Sequence, residues 1–262
     1  MLRLFKRSRK ACLVLGGGSA RGMAHIGVLK VFEREKIPIS AVVGTSMGAL
    51  IGAAYCLGVP TAKMEEQALK FNVNMLTDLT MPKMGLMAGD KLEAAIRGII
   101  GNGTFKECKI PLHIVTTDIE KGEEIIYGAG DLIKIIRASC SWPGIFNPVK
   151  MDGRLLVDGG IKNSVPTKTA KNIDNLDYMI AVDVGFCVKE DKITNIFEMI
   201  LQSFQIMGHE LNSYQANEAD MVINVDLDDL NQAAFDRAKE AIVKGELAVE
   251  SNLKYIKKEL RL

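Results

Sequence analysis

Short apolar runs alternate with amphipathic segments along most of this chain. "CLVLG" (Cys12 to Gly16) is hydrophobic until a glycine cuts it. In "GMAHIGVLKVFEREK", Ala24, Val28, Val31 and Phe32 then recur at helical spacing, and Pro38 stands just beyond the end. "ISAVVG" reads as a second strand, and the small-residue helix behind it should end near Gly58 and Pro60. Five further stretches have strand character: "LHIVTTDI", "EEIIYG", "RLLVDG", "YMIAVDVG" and "MVINVD". Helical patterns such as "GDKLEAAIRGII" lie between several of them. Strands that are apolar on both sides need cover on both faces. The pattern therefore predicts an α/β fold, a single-domain three-layer α/β/α arrangement around a mostly parallel central sheet. No linker, repeat or low-complexity tract interrupts it, which gives one domain over residues 11–262 behind a basic extension, 1–10. A terminal helix over 232–261 carries a stripe including Phe235, Ile242, Val249 and Ile256, and that stripe should dock on the domain rather than on a partner.

Composition narrows the classes. The chain has 262 residues, 48% hydrophobic and 25% charged, with a formal net charge of +1. That length suffices for one large core, and that charge argues against a nucleic-acid partner. The cysteines (Cys12, Cys56, Cys108, Cys140, Cys187) form no C-x-x-C pair and read as the reduced thiols of a cytoplasmic protein. His25, His113 and His209 are too scattered to suggest a metal site, and no cofactor is expected. "MLRLFKRSRK" is basic, but the apolar "ACLVL" behind it is too short for a secretion signal, and no run approaches a membrane span. The leader is then either a solvated extension or a peripheral contact with anionic lipid at the inner face of the membrane. In the second case Leu2, Leu4 and Phe5 would add apolar contact.

Three glycine-marked turns fall where strands end, the edge at which open α/β sheets bind ligands. The first is "GGGSARG", Gly16 to Gly22. Glycines there let backbone N–H groups face outward at a helix start, which suits a phosphate cradle or an oxyanion hole. A dinucleotide fingerprint would need an acidic residue ending the second strand, and Gly44-Thr45-Ser46 stands there instead. The second turn, Gly44-Thr45-Ser46-Met47-Gly48, matches G-x-S-x-G between a strand and a helix. Such a turn lifts the serine Oγ above the sheet and leaves the Met47 N–H as an oxyanion donor. The third is "LLVDGG", where Asp158 either makes an Asx turn or serves as a general base. As a base it is expected to have a near-normal pKa and to be ionised at neutral pH.

"GGGSARG", "GTSMG" and "DGG", in that order, resemble the patatin-like phospholipases, in particular their compact bacterial members. The likeness extends to "HIGVLKVFE" and "IRASCSWPGIFNPV" and covers roughly residues 11–185. It implies a patatin-like fold and a serine esterase acting on lipid or other acyl esters. Ser46 would be the nucleophile and Asp158 its partner, a dyad without histidine. Gly16, Gly17, Gly18 and Arg21 would form the oxyanion loop, with Gly17 and Gly18 donating. Trp142 and Asn147 depart from the family pattern, which bears on the shape of the acyl pocket.

Other readings stay open at this point. A non-catalytic nucleotide- or anion-binding module would use the glycine loop alone, and an acyltransferase or thioesterase would use the same site. Arg21 suits loop anchoring better than a lipid phosphate. Met64, Met75, Met81, Met84 and Met87 read as core filling, with a greasy cover over the site as the alternative. Asp183, ending another strand, is the rival carboxylate. Headgroup, chain length and oligomeric state are open.

Overall fold

The computed structural model describes residues 7–81, 84–186, 193–194 and 196–262, excepting the side chains of Phe197 and Leu201. Cys187 and the leader residues Leu2, Leu4 and Phe5 lie outside them. In chain order the elements are β1 (Ala11–Leu15), α1 (Ala24–Arg34), β2 (Ile39–Thr45), α2 (Met47–Cys56), α3 (Thr61–Lys70), β3 (Gly85–Met87) and α4 (Asp90–Ile100). Next come β4 (Leu112–Asp118), β5 (Glu123–Tyr127), α5 (Leu132–Ser139), β6 (Gly144–Phe146), β7 (Val149–Met151) and β8 (Arg154–Asp158). The chain continues through α6 (Gly160–Asn163), α7 (Thr167–Lys171), β9 (Tyr178–Asp183), α8 (Ile196–Ala216), β10 (Met221–Asn224) and α9 (Ala238–Leu260).

The main sheet has the order β10-β9-β1-β2-β4-β8-β7, with β5 on β4, while β3 and β6 form a small separate pair. β10, β9, β1, β2 and β4 are mutually parallel, and β4 pairs antiparallel with both β5 and β8. Along β1 the side chains alternate between two cores. Ala11, Leu13 and Leu15 join the larger cluster, and Cys12 and Val14 the smaller one. This alternation is why the strand reads as uniformly apolar: both faces are covered.

One register positions the site. Ile114 and Val115 of β4 pair with β2 on one side and β5 on the other, whereas Thr116 to Asp118 pair with β5 and β8. β8 therefore lies along the same edge of β4 as β2, taking over where β2 stops. Thr45 pairs with Val115 and Asp158 with the next residue, Thr116. Two strands running in opposite directions meet end to end, and their last residues come together.

The α9 stripe faces α1, and the two helices cross so closely that a Cβ on Gly27 would overlap the Ile242 carbonyl. α9 starts at Ala238, six residues later than the sequence pattern suggests, after a 3-10 turn over Phe235–Arg237. The Asn231 side chain accepts the Ala233 N–H, a local turn that competes with helix at this point. At the other terminus the Arg9 N–H donates to the Leu260 carbonyl, tying the described part of the basic segment to the end of α9. Among the described residues, no helix is long and apolar enough to cross a membrane.

Candidate active site

Ser46 stands between β2 and α2 with φ 53° and ψ −124°, a left-handed backbone that L side chains rarely adopt. The flanking glycines make this turn possible. A Cβ on Gly44 would lie 2.7 Å from the Ala49 Cα, and one on Gly48 would overlap the Leu15 carbonyl. No other residue allows helix and strand so close.

The Ser46 Oγ donates to Asp158 Oδ2 at 2.6 Å, and Asp158 Oδ1 accepts the Gly160 N–H at 2.7 Å. Asp158 is 1% exposed. Burial raises its pKa from 3.8 to about 7, against the opposing hydrogen bonds from Ser46 and Gly160. The sequence expectation of a near-normal aspartate is thereby corrected. Desolvation outweighs the two donors.

Two serines that sequence reasoning left without a role brace this pair. Ser139 Oγ, fully buried, accepts the Ser46 N–H at 2.8 Å and donates to the Val115 carbonyl at 2.7 Å. The Ser141 carbonyl accepts the Asp158 N–H at 2.9 Å, and the Ser141 hydroxyl exchanges hydrogen bonds with Arg137. The end of α5 thus grips both the serine and the aspartate through their backbones. Two serines spaced by two at a helix end, ahead of Trp142-Pro143, are the only trace of this in the sequence.

The glycine loop divides its donors unequally. Gly16 N–H donates to the Val182 carbonyl and Gly17 N–H to the Ser164 carbonyl, at 3.1 and 2.9 Å. Those two groups shape the loop and are not free to meet an oxyanion, which corrects the expectation for Gly17. Gly18 and Met47 have no N–H partner among the described residues, and both line the cavity over Ser46. Arg21 is buried and donates to the carbonyls of Val184 and Leu230, anchoring the loop to the segments after β9 and β10. His25, beneath the loop, donates from Nε2 to the Gly16 carbonyl at 2.7 Å, and burial lowers its pKa to about 4. The histidine is neutral and structural.

The cavity above Ser46 and Asp158 has a volume of about 770 Å³. Met47, Leu50, Leu76, Leu92, Phe146 and Phe235 make much of its wall, and Trp142 enters it in an edge-on contact with Phe204. None of the described lining residues is a histidine, lysine or arginine. Asp183 lies elsewhere, accepting from Gly185 N–H and Asn212. Of the methionine run, Met64 is core and Met87 lines the cavity, whereas Met75, Met81 and Met84 are exposed. Core filling thus accounts for Met64, but not for the exposed three. No cluster of three or more His, Cys, Asp or Glu able to hold a metal occurs among the described residues.

A family model for patatin-like phospholipase matches residues 13–171. The neuropathy target esterase sws of Drosophila melanogaster is 36% identical over 181 residues, covering 66% of this chain and 13% of that protein. The lysophospholipase nte1 of Aspergillus fumigatus is 31% identical over 214 residues, covering 79% of this chain and 14% of its own length. The chain thus spans about an eighth of these relatives. Among solved structures, VipD from Legionella pneumophila shares the fold with a TM-score of 0.59 at 14% identity, over 94% of this chain and 67% of that one.

Proposed function

Because the chain belongs to the patatin-like phospholipase family, we propose that it is a serine acyl hydrolase of lipid esters, working through a Ser46–Asp158 dyad. The observation that carries this is the 2.6 Å hydrogen bond from Ser46 Oγ to a buried carboxylate, set at the floor of an apolar cavity. We assign the activity to residues 11–262, since β9, β10 and α9 complete the sheet and core beyond the matched segment.

The reaction runs in two matched halves. Ionised Asp158 takes the Ser46 proton as Oγ attacks the ester carbonyl. The oxyanion is held by the N–H groups of Gly18 and Met47, two lining residues of the cavity whose N–H groups have no partner among the described residues. Collapse expels the alkoxide, which recovers the proton from Asp158 and leaves an acyl-serine. Water then repeats the sequence: its proton passes to Asp158 as it attacks the acyl carbon, and collapse releases the acid as Ser46 Oγ recovers that proton from Asp158. The apolar wall fits an acyl chain, in keeping with relatives named as an esterase and a lysophospholipase. An anion-binding module fits less well, since Gly16 and Gly17 have their N–H groups engaged. The free thiols of Cys12, Cys56, Cys108 and Cys140 suit a reducing, cytoplasmic setting.

Labelling with a fluorophosphonate tests the reading. Wild-type protein should label at Ser46 and hydrolyse monoacyl and diacyl phospholipids in a mass-spectrometric panel, and folded Ser46→Ala should do neither. Equal turnover by that variant would end the hydrolase reading.

A further inference from the structure

α8 is built inside out. Its inward side carries Gln205, Gly208 and Asn212, all buried, and its outward side carries Ile196, Met199, Ile200, Ile206, Met207 and Leu211, all more than 40% exposed. Spacings of three, four and seven put the outer set on one face of the helix. A surface helix normally does the reverse. Nor can this one have been rolled over by weak packing, because hydrogen bonds fix its orientation. Asn212 Nδ2 donates to Asp183 Oδ1 at 2.8 Å, Gln215 Oε1 accepts the Val165 N–H at 3.0 Å, and Gln215 Nε2 donates to the Lys162 carbonyl at 3.1 Å. The helix is fastened by polar contacts on one side and presents hydrocarbon on the other.

A second stretch combines cavity-lining residues with exposed apolar ones. Glu198, Gln202 and Gln205 of α8 line the cavity, and so do Val73, Leu76 and Met87. Close to the latter in the chain, Leu79, Met81 and Met84 are 78%, 82% and 51% exposed. Two stretches that contribute to the cavity wall therefore also carry exposed apolar side chains. An uncovered apolar surface of this extent marks a contact site.

We infer that this rim is the surface by which the protein lies on a lipid layer, and that the layer is zwitterionic rather than anionic. Two observations choose the occupant. The two stretches that carry these apolar faces also contribute lining residues to the apolar cavity over Ser46, so a bilayer seated on them would lie next to the space that takes the acyl ester. Over Ile196–Ala216 there is no lysine or arginine, while Glu198 and Glu210 are present. On the α8 side, a face so composed offers no cation to an anionic surface and would meet a lipid layer through hydrocarbon. Choosing a lipid layer as occupant rests on the acyl-hydrolase reading, but the binding itself does not require turnover.

Co-sedimentation of the full chain with phosphatidylcholine vesicles, in the Ser46→Ala background, separates docking from chemistry. The protein should bind, equally at about 0.05 and 0.5 M salt, and no more tightly when phosphatidylglycerol is mixed in. Ile200→Gln with Met207→Gln, both exposed and outside the cavity lining, should weaken partitioning roughly tenfold or more. In the otherwise wild-type enzyme the pair should depress vesicle hydrolysis while turnover of a soluble short-chain ester holds. Failure to bind neutral vesicles, or binding that vanishes with salt, overturns the inference even if hydrolysis stands. So does a sedimentation-velocity dimer that the same pair makes monomeric, since a second copy would then cover the face. Vesicle binding with no hydrolysis by wild type would instead leave the docking surface standing and remove the proposed function.

Discussion

The turn at Ser46 and the rim at α8 solve opposite problems. At the turn every atom is constrained. Glycines admit contacts that no Cβ would survive, a left-handed backbone holds the serine, and two hydroxyl-bearing residues grip the chain from below. At the rim large apolar groups stand in solvent, and the helix beneath them is held by amide side chains. Backbone strain of the kind seen at Ser46 costs about 1–3 kcal/mol and persists only where the surroundings over-determine it. The contrast teaches where the chain is tightly constrained: around Ser46 and Asp158, and not on the outer face of α8.

Substitutions that attack the constrained region should have the largest effects. Gly48→Ala drives a methyl group into the Leu15 carbonyl, and thermal denaturation should show a loss of about 3 kcal/mol, or about 6–12 °C in Tm. A wild-type melting curve would mean that the elbow is not tight. Asp158→Asn should lower kcat by about 10²-fold or more. Wild-type kcat/KM should rise about tenfold per pH unit up to about 7, where Asp158 ionises, and then level off. The same substitution should raise stability. A folded pKa near 7 against 3.8 unfolded means that the wild type is favoured below about pH 4 and loses that advantage as pH climbs to about 7. The Tm gap in favour of Asp158→Asn should therefore widen across that window, and a constant gap would show that the carboxyl is not desolvated.

Ser139→Ala probes the brace more gently. It removes the partner of the Ser46 N–H and one hydrogen bond to the Val115 carbonyl, which costs about 1–3 kcal/mol. Steady-state kinetics should show kcat down roughly tenfold at an unchanged KM, as expected for a positioning residue that touches no substrate. A KM defect at full kcat would contradict this role. At the rim, Leu79→Ser or Met81→Ser should shift unfolding by no more than about 0.5 kcal/mol in a urea titration. A large loss there would mean that the rim is packed after all.

The same division governs how much could be read from the sequence. Gly44, Ser46 and Gly48 were legible because tight turns admit few residues, so the requirement is written locally. The parallel strands were legible for a similar reason, since cover on both faces leaves them uniformly apolar. Asp158 was legible as a carboxylate at a strand end. Its pKa was not, because burial depends on what packs around it. Nor was the engagement of the Gly17 N–H, which depends on Ser164, far along the chain. The pattern of α8 announces a helix but misleads about its direction, because an apolar stripe ordinarily faces the core. Which face turns inward was decided by partners at Lys162, Val165 and Asp183 that no periodicity reveals.

β4 carries a constraint of a different kind. None of its residues lines the cavity, yet Thr45 and Asp158 are placed by consecutive rungs of this one strand. A single residue inserted or deleted between Val115 and Thr116 would slide one partner past the other by about 3.3 Å, more than the whole Ser46–Asp158 hydrogen bond. Point substitutions on the strand leave that spacing alone. In evolutionary terms β4 is a ruler, free to change its letters within the limits of packing but not its length.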